Sequence, residues 1–220
     1  MHMKNSLKAL ALAAVVGAGM TSAAEAQNRS RSYQAYAVID LQTDAPKARL
    51  IDAAERALSG YASDLNTSRP IAVQTPERPG RFKLENPLGE NSRLGALAAL
   101  GGVSAQSFMI ATCDGAVWVA NLTRSISGSQ QMRATLCLFP YANDQRQGYH
   151  LNLFVNDTAE SGGGLSQRFG RAVAGRLVGT PQEFTERMLK DTVFAMEGAS
   201  GASAVLIEGE PEIPGLAWKR

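Results

Sequence analysis

An α+β domain, with an antiparallel sheet of about five to seven strands packed against about three helices, is what the patterning of the chain predicts. Residues 107–155 alternate apolar and less apolar side chains with a period of two through SFMIATCDGAVWVANLTRS, QQMRATLCLFPY and GYHLNLFV, as half-buried strands do. Stretches on either side repeat apolar residues at helical spacing instead. Gly, Asn, Asp, Ser and Pro gather between these segments, where the chain must turn.

The first 26 residues read as a leader. Met1 to Lys8 is short and basic, Ala9 to Gly19 is an apolar run of small residues, and Ala24-Glu25-Ala26 has the small-x-small form that signal peptidases cleave. The expectation is a secretory signal cleaved after Ala26, one domain over 27–220, and a periplasmic location. At about 11 residues the run falls short of the ~20 needed to cross a bilayer, and membrane contact is not expected elsewhere. About 194 residues remain, enough to bury a core without metal or cross-links. Without Lys4, Lys8 and Glu25, the 22 basic and 20 acidic residues fall to 20 and 19. So balanced a charge argues against a nucleic-acid partner, which calls for a basic patch.

Tyr33 to Leu41 reads as a strand. Asp44 then offers an N-cap ahead of Pro46, and Leu50, Ile51, Ala54, Ala57, Leu58 and Tyr61 share one side of a helix whose other side carries Arg49, Asp52, Glu55 and Arg56. Residues 63–92 are irregular, with at most short strands around 71–73 and 81–84, and 93–100 has the pattern of a short helix.

In the central region Asp114-Gly115 is a hairpin signal, because both residues tolerate the positive φ of a type I′ turn. It sets Cys113 opposite Ala116, Ala111 opposite Trp118 and Met109 opposite Ala120. Turns at Ser127-Gly128-Ser129 and over Ala142 to Gly148 continue a meander. Phe108, Ile110, Val117, Val119, Met132, Ala134, Leu136, Leu138, Leu151, Leu153 and Val155 then make an aliphatic face. The other face holds Met109, Ala111, Cys113, Trp118, Leu122, Arg124, Arg133, Cys137, Phe139, His150, Asn152 and Phe154. So mixed a face calls for a cover, either the chain's own loops or a partner.

Downstream of Gly162-Gly163-Gly164, the stripe Leu165, Phe169, Ala172, Val173 and Leu177 predicts a helix. Thr180-Pro181 with Glu183 is a capping box opening another, with Phe184, Met188, Leu189, Thr192, Ala195 and Met196 inward and its end at Gly198 to Gly201. Ala204 to Glu208 reads as a strand, and 209–220 as an extended tail. Glu208, Glu210 and Glu212 are expected as solvated carboxylates at a sheet edge rather than a metal site.

Two cysteines in an exported chain predict the disulfide Cys113–Cys137. In a plain meander these residues lie about 9.6 Å apart sideways and 13 Å lengthwise, whereas a bridge needs Cα atoms within about 7 Å. The bridge is therefore expected and the pairing of 132–140 with 116–125 is not. No Gly-x-Ser-x-Gly, Ser-x-x-Lys, His-Glu-x-x-His, phosphate loop or calcium loop occurs in the chain. No cofactor or metal is expected, since His150 is the only histidine outside the leader.

These observations lead to an exported, non-catalytic binding or envelope-assembly factor acting through Trp118, Phe139, His150 and Asn152, or through 63–92, on an envelope protein or small ligand. One alternative is a hydrolase or thiol-dependent enzyme centred on His150, with Cys137 and Asn152 nearby. Another is an inhibitor or immunity-type protein with a single protein partner.

Overall fold

The computed structural model of the protein describes residues 33–71, 74–86, 109–127, 130–158 and 180–216. Strand β1 (Gln34–Gln42) leads into α1 (Lys47–Ser59), then β2 (Asp64–Ser68), β3 (Lys83–Glu85) and β4 (Ile110–Thr112). The long strands β5 (Trp118–Ser127), β6 (Gln130–Ala142) and β7 (Gln147–Thr158) follow, and α2 (Pro181–Ser200) and β8 (Ala204–Glu210) complete the fold. Six strands form one antiparallel sheet in the order β2-β5-β6-β7-β1-β8, while β3 and β4 pair apart from it. The α+β class and antiparallel sheet are as the patterning predicts. Two helices are present among the described residues; the helices expected over 93–100 and 165–177, like the leader, lie outside them.

One face of the sheet carries the core. Ala134, Leu136 and Leu138 of β6 stand opposite Val155, Leu153 and Leu151 of β7, and Ala35, Ala37 and Ile39 of β1 continue the layer. Leu50, Ile51, Ala54 and Leu58 of α1 and Phe184, Met188, Leu189, Val193 and Met196 of α2 close over it. Each large aliphatic buried there contributes about 1.5–3 kcal/mol relative to exposure. Thr185 and Thr192 sit on the buried side of α2 because their hydroxyls donate to the carbonyls of Pro181 and Met188, at 2.8 and 2.7 Å.

The helix starts differ. At α2 the expected capping box is complete, with the Thr180 hydroxyl accepting from the Glu183 amide and Glu183 accepting from the Thr180 amide. At α1, Pro46 rather than Asp44 occupies the cap position and no side chain caps the helix. The Thr43 hydroxyl instead accepts from the Ala45 amide at 3.0 Å, which turns the chain one residue earlier.

Four expectations for the sheet are corrected. Asp114-Gly115 does turn the chain, with φ +86° at Gly115 and the Ala116 amide donating to the Cys113 carbonyl at 3.2 Å, but Asp114 keeps a negative φ. That is a type II pattern rather than I′, and β4 leaves the sheet to pair with β3, so Ala111 faces Leu84 instead of Trp118. The edge of β5 is taken by β2, a polar strand inside the segment read as irregular. Cys113, carried over the sheet, bonds Cys137 with a Cα separation of 6.2 Å, while β5 and β6 pair along their length. The disulfide and the pairing it was expected to forbid thus coexist, because the misplaced partner was the 107–113 strand. Finally, Trp118 lies opposite Leu138 and Val119 opposite Cys137. Trp118, Ala120 and Leu122 therefore join the aliphatic face, a one-residue difference that exchanges the two sides of β5.

Candidate functional site

The face away from the helices is built by alternation along three neighbouring strands. Tyr36, Val38 and Asp40 of β1 stand opposite Phe154, Asn152 and His150 of β7, which in turn stand opposite Thr135, Cys137 and Phe139 of β6. One end of this face is polar, with Asp40 and His150. The other is aromatic, with Tyr36 and Phe154, and Asn152 lies between them.

The chain supplies its own cover here. The Ala142 amide donates to the Pro76 carbonyl at 2.9 Å, and the Cys113–Cys137 bond holds the end of β4 against β6. Between these anchors Gly80 lies so close to Phe139 that a Cβ at that position would come within 2.5 Å of the ring. Phe82 packs on Phe154 and Tyr36 with centroid separations of 5.9 and 6.4 Å. Arg81 pairs with Glu208 of β8 at 2.7 Å and fixes the outer edge.

At the polar end the Asp40 carboxylate accepts from the Tyr141 hydroxyl at 2.6 Å and from Gln42 Nε2 at 3.0 Å, and His150 Nε2 lies 3.6 Å from it. The Tyr141 ring meets His150 edge-on at 5.4 Å. Burial pushes the Tyr141 phenol up, and its bond to Asp40 pushes it further. This geometry orients an imidazole but already occupies both carboxylate oxygens. Both cysteines are bonded, so Cys137 offers no thiol to His150. Asn152 is wholly buried, and its side-chain oxygen and nitrogen have no hydrogen-bond partner among the described residues.

At the aromatic end a groove of about 310 Å³ opens between the sheet and its cover. Tyr36, Phe82, Leu84 and Phe154 form its apolar lining, with Gln34 and Glu210 at its rim. Tyr36 donates to Glu208, which holds its phenol above the ordinary range and sets the ring edge-on to Phe82. No group of three His, Cys, Asp or Glu that could hold a metal occurs among the described residues, and no helix among them is long and apolar enough to cross a membrane.

Of the four residues expected to bind, Phe139, His150 and Asn152 are together on this face. Trp118 is on the other side of the sheet, fully buried, with its indole donating to Glu55 of α1 at 2.9 Å. Tyr36, Phe82 and Glu210 were not among the expected site residues. Alternation within YQAYAVID puts Tyr36 and Asp40 on one side, but no local pattern ties Phe82 or Glu210 to them. No protein-family model matches the chain, and no curated protein or solved structure matches it either.

Proposed function

We propose that this is an exported, non-catalytic binding protein that takes a small ligand with an apolar body between the sheet and its disulfide-pinned cover. The groove beside Phe82 carries the reading. Its size is at the lower end of ligand pockets, about 300–1,000 Å³, and its make-up follows their pattern of apolar walls with a few polar rim groups. The leader-like segment and the disulfide support export, since such bonds persist in oxidising compartments. The polar end supports a binding role over catalysis, because the Asp40 carboxylate is engaged by Tyr141 and Gln42 and Cys137 is held in the disulfide.

The neutral fluorophore N-phenyl-1-naphthylamine tests this. The oxidised protein should bind it with one-to-one stoichiometry and enhanced emission. Leu84 is 44% exposed, so Leu84→Arg places a charged stem in the groove without disturbing the core, and it should abolish binding while leaving thermal unfolding unchanged. Absence of binding by the wild type, or equal binding by Leu84→Arg, would reject the groove as the site.

A further inference from the structure

We infer that the ligand of this groove is a small organic cation, its charged head set against Glu210 and its apolar body against the rings of Tyr36, Phe82 and Phe154. This rests on the binding role proposed above and names the ligand's chemistry.

The charge around the groove is one-sided. Arg81, beside Phe82, is matched by Glu208 at 2.7 Å. Glu210, at the groove wall opposite Tyr36, forms no salt bridge among the described residues. Glu210 is thus the charged side chain among the described residues that line the groove, and its sign favours a cation over an anion.

The rings add to this. Phe82 stands at 65° to Tyr36 and at 38° to Phe154, so the three rings present differently inclined surfaces around one space. Aromatic faces attract a cation within about 6 Å of their centroids, most strongly where water is displaced. Their positions are fixed from several sides, with Tyr36 held by Glu208 and the Phe82 segment by Arg81 and the disulfide. A bare metal ion would gain nothing from such walls, whereas an ammonium with an aromatic or aliphatic substituent uses both walls and rim.

Calorimetric titration of the oxidised full chain with benzyltrimethylammonium, benzyl alcohol and phenylacetate separates the contributions. The ammonium should bind about tenfold more tightly than the alcohol, and phenylacetate should not bind. Glu210→Gln should weaken the ammonium about fivefold and leave the alcohol unchanged. Equal affinities for ammonium and alcohol, or an unaltered ammonium affinity in Glu210→Gln, would overturn the cation assignment while the groove still bound neutral ligands. If the naphthylamine and all three compounds fail to bind, the binding role falls together with its ligand.

Discussion

Trp118 and Glu55 couple the sheet to α1 through one bond from a buried indole to a half-buried carboxylate. Burial pushes the Glu55 carboxyl up, but hydrogen bonds from Arg69, Trp118 and Thr67 outweigh it and hold the group below its ordinary value. Trp118→Phe keeps most of the ring volume and removes the donor. It should cost about 1–2 kcal/mol in urea unfolding at neutral pH without changing the slope. Because the folded value is depressed, the stabilisation from Glu55 is complete above the ordinary value of 4.5 and is lost as pH falls through the folded one. Glu55→Gln should accordingly be less stable than wild type at pH 7 and converge on it in acid. A second residue-scale constraint is at Gly148, where a Cβ would lie 2.4 Å from the Leu41 carbonyl and 3.0 Å from the Tyr141 hydroxyl. The first of these contacts is with backbone and cannot swing aside. Gly148→Ala should therefore destabilise by at least about 2 kcal/mol and loosen Tyr141 from Asp40, read as a lower urea midpoint.

Among the elements, the β3–β4 pair is the most dependent on its staple. Each strand has three residues, and Leu84 and Ile110 are 44% and 45% exposed, so little burial holds the pair in place. The disulfide closes a separation of 24 residues, for which loop entropy gives a stabilisation of about 3.5 kcal/mol. Cys113→Ala with Cys137→Ala should lose up to that amount, and β3–β4 amides should exchange fast while β6 and β7 stay protected. Retained protection at β3–β4 would show that packing alone holds the cover. The same element shows where sequence reading stops. The turn at Asp114-Gly115 is legible because positive φ is a property of one glycine, yet which strand β4 joins depends on Lys83–Glu85, some 27 residues away. The capping box at Thr180 and the alternation of β6 and β7 are legible for the same local reason. Strand β2, DLNTS, lies on an edge and is almost wholly exposed, so it carries no apolar alternation to read. In the site, alternation suffices to group Phe139, His150 and Asn152, while Phe82 and Glu210 arrive through tertiary packing and through the pairing of β8 with β1.

Across the whole molecule, the sheet separates two environments, and the tyrosines register both. The chain has five tyrosines, and all five phenols are raised. Burial dominates at Tyr33, Tyr61, Tyr141 and Tyr149, whereas at half-buried Tyr36 the bond to Glu208 comes first. Tyr61, bonded to Asp191 where α1 meets α2, is pushed up to about 12. Tyr141, on the opposite face, is also raised through its bond to Asp40. A phenol raised on folding contributes stability that is complete below its ordinary value of 10.0 and lost as pH rises through the folded value. The protein should therefore hold full stability to about pH 9 and lose it steeply above pH 10, with the helix layer and the covered face weakening together. Absorbance at 295 nm, followed against pH in buffer and in urea, measures this directly. The urea titration should be a single transition near pH 10, and the native one should be displaced upward. Two or more phenols titrating at the unfolded value in the native protein would contradict the enclosure of Tyr61 and Tyr141. If Tyr36 alone moved down to that value on adding benzyltrimethylammonium, the cation would be neutralising the Glu208 and Glu210 carboxylates that raise it, placing the ligand at the groove from a second, independent direction.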